Sequence, residues 1–189
     1  MWRIIGMHKD VEEILVSTEE IAERIQVLGE ELTADYQDKN PIVVGILKGS
    51  VPFMSDLIRA MDVKLQIDFM DISSYGGGVE SSGQVKILKD LDADVSGRHV
   101  IIVEDIVDTG NTLAKIHDLF QHRNAASVKV VTLLNKPERR TADVSVDYIG
   151  FEIPDKFVIG YGMDFDEEYR QLPYIGILKP SVYAHLFHN

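Results

Sequence analysis

The sequence predicts an α/β fold, a mostly parallel central sheet flanked by helices. Three observations carry this. The apolar runs at 41–47 (PIVVGIL) and 99–105 (HVIIVED) are too continuous for strands with one wet face, and suit strands covered on both sides. Segments with apolar residues three or four apart lie between such runs. No internal repeat or low-complexity tract interrupts the alternation, which is the pattern of parallel strands joined by helical crossovers. A chain of 189 residues with 45% hydrophobic content suits one compact domain over 1–189.

Each element has its own signal. Ser17 and Glu20 stand at capping-box spacing, and Ile21, Ile25, Leu28 and Leu32 follow at helical spacing, so 17–36 is expected to be a helix. A strand follows at 41–47. Phe53, Leu57 and Met61 lie four apart after it, with Pro52 acceptable in a first helical turn. Residues 64–70 (KLQIDFM) alternate as a strand does. The Gly- and Ser-rich stretch 71–84 reads as a mobile loop, and QVKIL after it as a return strand. Beyond the strand at 99–105, Leu113, Ile116 and Phe120 mark a helix over 112–120, and 127–135 and 147–153 read as further strands.

Composition excludes several functions. No run of about 18 apolar residues is present, so no membrane span is expected, and the first ten residues lack the apolar stretch of a signal peptide. The chain has no cysteine, which removes disulfides and thiolate metal sites and makes the cytoplasm the default location. A formal charge of −12 repels phosphate backbones, so nucleic acid is not an expected partner. None of the six histidines has a companion at convincing metal-ligand spacing.

The chemistry concentrates at 100–113, VIIVEDIVDTGNTL. An apolar strand runs into Glu104 and Asp105, then Asp108 and a small turn. In parallel α/β sheets, ligands collect at the carboxyl ends of the strands. Gly110 permits a tight or left-handed backbone, and the N–H groups of a helix start then form an anion site, with Thr109 and Thr112 adding hydroxyls. This is not a Walker A loop, since GxxxxGK[ST] is missing. Carboxylates beside a phosphate cradle make sense if two of them accept from ribose hydroxyls and a bound Mg²⁺ offsets their charge. Asp108 could then accept a proton. An acidic helix start with no ligand is the simpler account of 108–112, but it leaves Glu104 and Asp105 unexplained.

These residues resemble the phosphoribosyl-pyrophosphate (PRPP) signature of type I phosphoribosyltransferases. ILKGSVPF (46–53), SSYG (73–76), LLNKPERR (133–140) and FEIPDKFVIGYGMDFDEEYRQLP (151–173) resemble, in the same order, the hypoxanthine-guanine phosphoribosyltransferase family. The resemblance covers about 40–180. It implies the type I fold, with a small hood formed by about 1–16 and 152–189. It implies transfer of the 5-phosphoribosyl group from PRPP to N9 of a 6-oxopurine, hypoxanthine and also guanine, giving IMP or GMP and pyrophosphate in purine salvage. Mg²⁺ would be the cofactor and a homo-oligomer, dimer or tetramer, the assembly.

The same resemblance implies roles for single residues. Glu104 and Asp105 would bind the ribose hydroxyls near one Mg²⁺, and Asp108 would face the purine N7 as base. Asp108, Thr109, Gly110, Asn111 and Thr112 would hold the 5′-phosphate, with Asn111 standing where some members carry lysine. Lys48 and Gly49 would meet pyrophosphate at a non-proline cis peptide joining them, although alone they fit a plain strand-to-helix turn. Lys136 would donate to the purine O6, Phe157 would stack on the base and Val158 would recognise it through its backbone. Taken alone, Lys136 fits a solvated side chain and Phe157 a core residue. Asp164 would bind a second Mg²⁺, Arg170 would contact pyrophosphate, and Ser74 and Tyr75 would close as a lid. Two rivals differ in what they need. A xanthine-preferring enzyme of the same fold would differ at the C2 edge, and a nucleic-acid-binding regulator would need a basic face.

Overall fold

The computed structural model describes residues 6–74 and 85–184. In chain order the elements are β1 (Val11–Val16), α1 (Thr18–Tyr36), β2 (Ile42–Leu47), α2 (Val51–Ala60), β3 (Gln66–Ser74), β4 (Val85–Lys89) and β5 (His99–Val107). Then come α3 (Asn111–His122), β6 (Ser127–Asn135), a 3-10 turn (Pro137–Arg139), β7 (Tyr148–Glu152), β8 (Val158–Ile159), β9 (Ile175–Leu178) and α4 (Pro180–Tyr183). The central sheet has the order β4-β3-β2-β5-β6-β7. Its neighbours are parallel except for the β3–β4 edge pair.

Strand alternation explains the layering. Val43, Ile101, Val103, Val131 and Leu133 turn to one face and pack with Ile21, Leu28, Phe53 and Leu57 of α1 and α2. Ile42, Val44, Ile46, Val100, Ile102 and Val130 turn to the other face, against Leu113, Ile116 and Phe120 of α3. Each side chain fully buried this way stabilises the fold by about 1.5–3 kcal/mol. The α1 start is a complete capping box. Ser17 N–H donates to Glu20 Oε2 at 2.8 Å, and Glu20 N–H donates to Ser17 Oγ at 3.2 Å. The hydrogen bond from the Ser17 backbone holds the Glu20 carboxyl below its usual range.

Two boundaries differ from the sequence expectation. Residues 71–74, expected in a loop, belong to β3, where Ile72 pairs with Ile87 and Ser74 with Val85. The strand extends this far because β4 lies at the edge of the sheet and pairs with β3 over these residues. The rest of the expected loop, 75–84 with Tyr75 of the lid pair, lies outside the described residues. Strand β5 runs two residues beyond 105, because its ladder with β6 continues to Val107 and Asn135.

The two chain ends meet in a second, antiparallel sheet of order β1-β9-β8, with Val11 opposite Leu178 and Val158 opposite Ile177. Val11, Ile159, Tyr174 and Leu178 form its own small core. Among the described residues no helix is long and apolar enough to cross a membrane.

Candidate active site

The order of the central sheet dictates where a ligand can enter. From β2 the chain moves outward to β3 on one side, and β5 lies on the other. The carboxyl ends of β2 and β5 therefore border a topological switch point. The β2–β5 ladder ends at Gly45 and Val103. Past it, β5 carries Glu104 and Asp105 along β6, while the chain leaves β2 through Lys48 and Gly49 into α2.

Gly49 lies directly against Asp105. A Cβ built on Gly49 would sit 1.7 Å from Asp105 Oδ2, so no larger residue fits without moving that carboxylate. The non-proline cis peptide expected between Lys48 and Gly49 is instead the Leu47–Lys48 bond, one position earlier. The chain turns there at the last residue of β2, and what singles out Gly49 is steric contact with Asp105.

The two adjacent acids sit where charge is disfavoured. Both keep partial solvent contact through the crevice, but protein packs densely around them. Burial, and then the charge of Asp105, push the Glu104 carboxyl well above its usual range. Burial pushes Asp105 up to about 6, partly offset by the Ile106 N–H and the Arg170 charge and reinforced by Asp164.

Asp108, Thr109, Gly110, Asn111 and Thr112 line a cavity of about 140 Å³ at the start of α3. Gly110 is the N-cap, with φ 80°, and no side chain caps the helix. In the first turn the Asn111 N–H makes only a long contact to Thr109 Oγ1, at 3.5 Å, and the helix dipole adds partial positive charge. The loop is braced from behind: Thr109 O accepts the N–H of Thr141 at 3.0 Å and of Ala142 at 3.1 Å.

A larger cleft of about 560 Å³ opens beside it, lined among others by Asp108, Lys136, Arg139, Phe157, Val158 and Asp164. Lys136 ends β6 and is only 8% exposed. Its ammonium donates to Lys156 O at 2.7 Å and lies 3.4 Å from Asp155 Oδ1. Three N–H donors with two recorded partners leave donor capacity at the cleft. Phe157, by contrast, is 41% exposed rather than part of the core. Its ring meets Phe165 edge-on at 5.5 Å and stacks on Tyr183 at 5.2 Å. Val158 is buried in β8 behind it.

A cluster of charges stands over the Lys48–Gly49 turn. Arg170 donates to Gly162 O at 2.7 Å and pairs with Asp164 Oδ1 at 2.9 Å. Its Nε is buried without a hydrogen-bond partner among the described residues. Glu167 bridges Lys48 at 3.0 Å and Arg170 at 3.3 Å, and the two cations hold its carboxyl below the usual range. Gly162, at φ 103°, packs on the carbonyl of Gly49.

The expected site residues therefore gather around one crevice, apart from Ser74, which ends β3, and Tyr75, which lies outside the described residues. Sequence reasoning missed Arg139, Asp155, Glu167 and Tyr183. The first three sit in charged runs that look like solvated surface. Tyr183 comes from the far end of the chain.

The chain matches the family described as "Phosphoribosyl transferase domain" over residues 11–166. This chain belongs to the phosphoribosyltransferase family. It is 55% identical over 177 residues to the hypoxanthine-guanine phosphoribosyltransferase of Bacillus subtilis, covering 94% of this chain and 98% of that one. It is 56% identical over 179 residues to the bifunctional protein TilS/HprT of Listeria innocua, covering 95% of this chain but spanning only 28% of that relative's length. The crystal structure of a hypoxanthine phosphoribosyltransferase from Staphylococcus aureus superposes with a TM-score of 0.92 at 53% identity, covering 96% of this chain and 99% of that one.

The acids of this chain fit a Mg²⁺ ion shared with a phosphate-bearing ligand. Glu104 and Asp105 are forced together in a setting that resists ionisation, and a dication would relieve both effects. Among the described residues no group of three or more acids or histidines could hold a metal alone. Mg²⁺ keeps waters and uses one or two carboxylates plus substrate phosphates, so a pair of acids is enough from the protein side. Asp164 offers at most a single ligand, since one oxygen pairs with Arg170 and the other accepts the Glu167 N–H at 2.9 Å.

Proposed function

We propose that this chain transfers the 5-phosphoribosyl group of PRPP to N9 of a 6-oxopurine, with hypoxanthine and also guanine as bases. The products would be IMP or GMP and pyrophosphate, in purine salvage. One observation carries the reading: Asp108 lines both the cavity at the start of α3 and the cleft of Lys136 and Phe157. A phosphate in the first and a base in the second would put the sugar between them, above Glu104 and Asp105.

The roles follow from the chemistry of each group. The α3 loop, 108–112, binds the 5′-phosphate through backbone N–H groups and threonine hydroxyls, so Asn111 in place of lysine costs one direct charge only. Glu104 and Asp105 accept from the ribose hydroxyls. Lys136 donates to the purine O6, Phe157 stacks on the ring, and Val158 contacts the base through its backbone. The bond from C1′ to the pyrophosphate oxygen breaks as the bond from N9 to C1′ forms. Asp108 takes the proton the base must lose. Lys48, the Gly49 amide and Arg170 receive the charge on the leaving pyrophosphate. Mg²⁺, held near Glu104 and Asp105 and near Asp164, would neutralise phosphate charge.

We read the chain as one phosphoribosyltransferase domain whose small sheet is the hood over the base. A homo-oligomer and a cytoplasmic location accompany that reading. Incubation of the protein with PRPP, Mg²⁺ and each of hypoxanthine, guanine and xanthine tests it by product chromatography. The reading requires nucleotide from hypoxanthine, and xanthine as the only base used would replace it with the xanthine-preferring alternative.

A further inference from the structure

Residues 136–140 hold two adjacent arginines with opposite fates. Arg140 turns away from the cleft, donating to Asn135 Oδ1 at 2.5 Å and Val144 O at 3.4 Å. Arg139 turns into the cleft and lines it. Local geometry explains the difference. The 3-10 turn Pro137–Arg139 follows Lys136 directly, and the Arg139 N–H donates to Lys136 O at 3.2 Å. With three residues per turn, side chains three apart eclipse, so Lys136 and Arg139 project to the same side.

The Arg139 guanidinium then spans two carboxylates from different parts of the chain. Its Nε donates to Asp108 Oδ1 at 3.0 Å, and its Nη1 donates to Asp155 Oδ2 at 3.4 Å. Asp108 belongs to the phosphate side of the crevice. Asp155 lies beside Phe157 on the base side, and its other oxygen is 3.4 Å from Lys136 Nζ. The chain Asp108–Arg139–Asp155–Lys136 thus links the proposed proton acceptor to the proposed O6 donor. The Arg139 side chain is 47% exposed, and exposed ion pairs add little to stability, so folding alone gives this bridge little purpose. Asp108, for its part, has no other side-chain hydrogen-bond partner recorded among the described residues. Arg139 supplies a planar fork where lysine would supply one point charge.

We propose that Arg139 is a positioning residue: it clamps Asp108 to the base side of the cleft and sets the carboxylate's direction toward the purine. It does not bind the phosphate and does not take the proton. The inference rests on the reading of Asp108 as the proton acceptor.

A double-mutant cycle tests it, with wild type, Arg139→Met, Asp108→Asn and the double variant assayed with PRPP, Mg²⁺ and hypoxanthine. Arg139→Met should lower kcat by about tenfold to a hundredfold, the scale of a misplaced catalytic group, with the PRPP KM and the melting temperature unchanged. In the Asp108→Asn background the same substitution should cost less than about twofold, because the group it positions is already gone. Arg139→Lys should recover part of kcat, since an ammonium can pair with Asp108 but cannot span both acids. Equal losses in both backgrounds, or no loss in either, would overturn the proposal while leaving the transferase reading intact. Failure of the wild type to use any 6-oxopurine would sink both together.

Discussion

Gly49 and Asp105 touch across the switch point of the sheet, so closely that a Cβ on Gly49 would overlap the Asp105 carboxylate. The turn after β2 and the acidic end of β5 are therefore one unit. Gly49→Ala should displace the carboxylate and the turn together. The expected result is a loss of about 10² in kcat/KM, as for a misplacement of about 1 Å, with the fold retained because the change lies in a crevice. Steady-state kinetics and a thermal melt on one preparation check this. Full activity in Gly49→Ala would show that the contact is incidental.

Asp108→Asn should lower turnover more than it weakens PRPP binding. Asparagine keeps the size of the side chain and can still accept from Arg139, but it cannot take a proton. Losing a positioned acid–base group costs about 10²–10⁴ in rate. An unchanged kcat with a raised PRPP KM would make Asp108 a binding group.

Adenine should be rejected, and Lys136 should be the reason. A buried ammonium offers donors only, and the 6-amino group of adenine presents another donor. An unpaired buried donor costs about 1–3 kcal/mol or more. The ratio of kcat/KM for hypoxanthine over adenine should fall in Lys136→Met. Efficient use of adenine by the wild type would remove Lys136 from this role.

The raised pKa of Asp105 predicts a pH dependence of stability. Its folded value of about 6 lies above the ordinary 3.8, so its stabilising contribution is complete below pH 4 and is lost as pH rises through 6. Above that, the charged carboxylate works against the fold, by about 3 kcal/mol at most. Asp105→Asn should therefore stabilise the ligand-free protein at pH 8 and change little at pH 4. Asparagine can still accept the Ile106 N–H, which Asp105 Oδ1 now accepts at 2.8 Å. Chemical denaturation at the two pH values decides, and equal effects at both would contradict the assignment.

Much of this was legible in the residues. The runs at 41–47 and 99–105 announce a sheet covered on both faces, and Ser17 with Glu20 announces the start of α1. The acids Glu104, Asp105 and Asp108 stood out because a buried strand has no structural use for them. The small sheet was harder to see. β8 has two residues and β9 four, and β9 pairs with β1 from a distant part of the chain, so neither length nor periodicity marks them. Arg139 and Glu167 were hidden because a charged run carries no sign of which members turn inward. For Arg139 the direction comes from the 3-10 turn. Phe157 was ambiguous for the opposite reason: an aromatic residue beside valine and isoleucine looks like core until the fold leaves its ring exposed.

The most direct test of the central claim is a stoichiometric one. The protein is given PRPP, Mg²⁺ and hypoxanthine, and base consumed, nucleotide formed and pyrophosphate released are measured in the same reaction. The account predicts equal amounts of all three, with no base consumed when PRPP is omitted. Pyrophosphate release without nucleotide, or no consumption of base at any PRPP concentration, would contradict it.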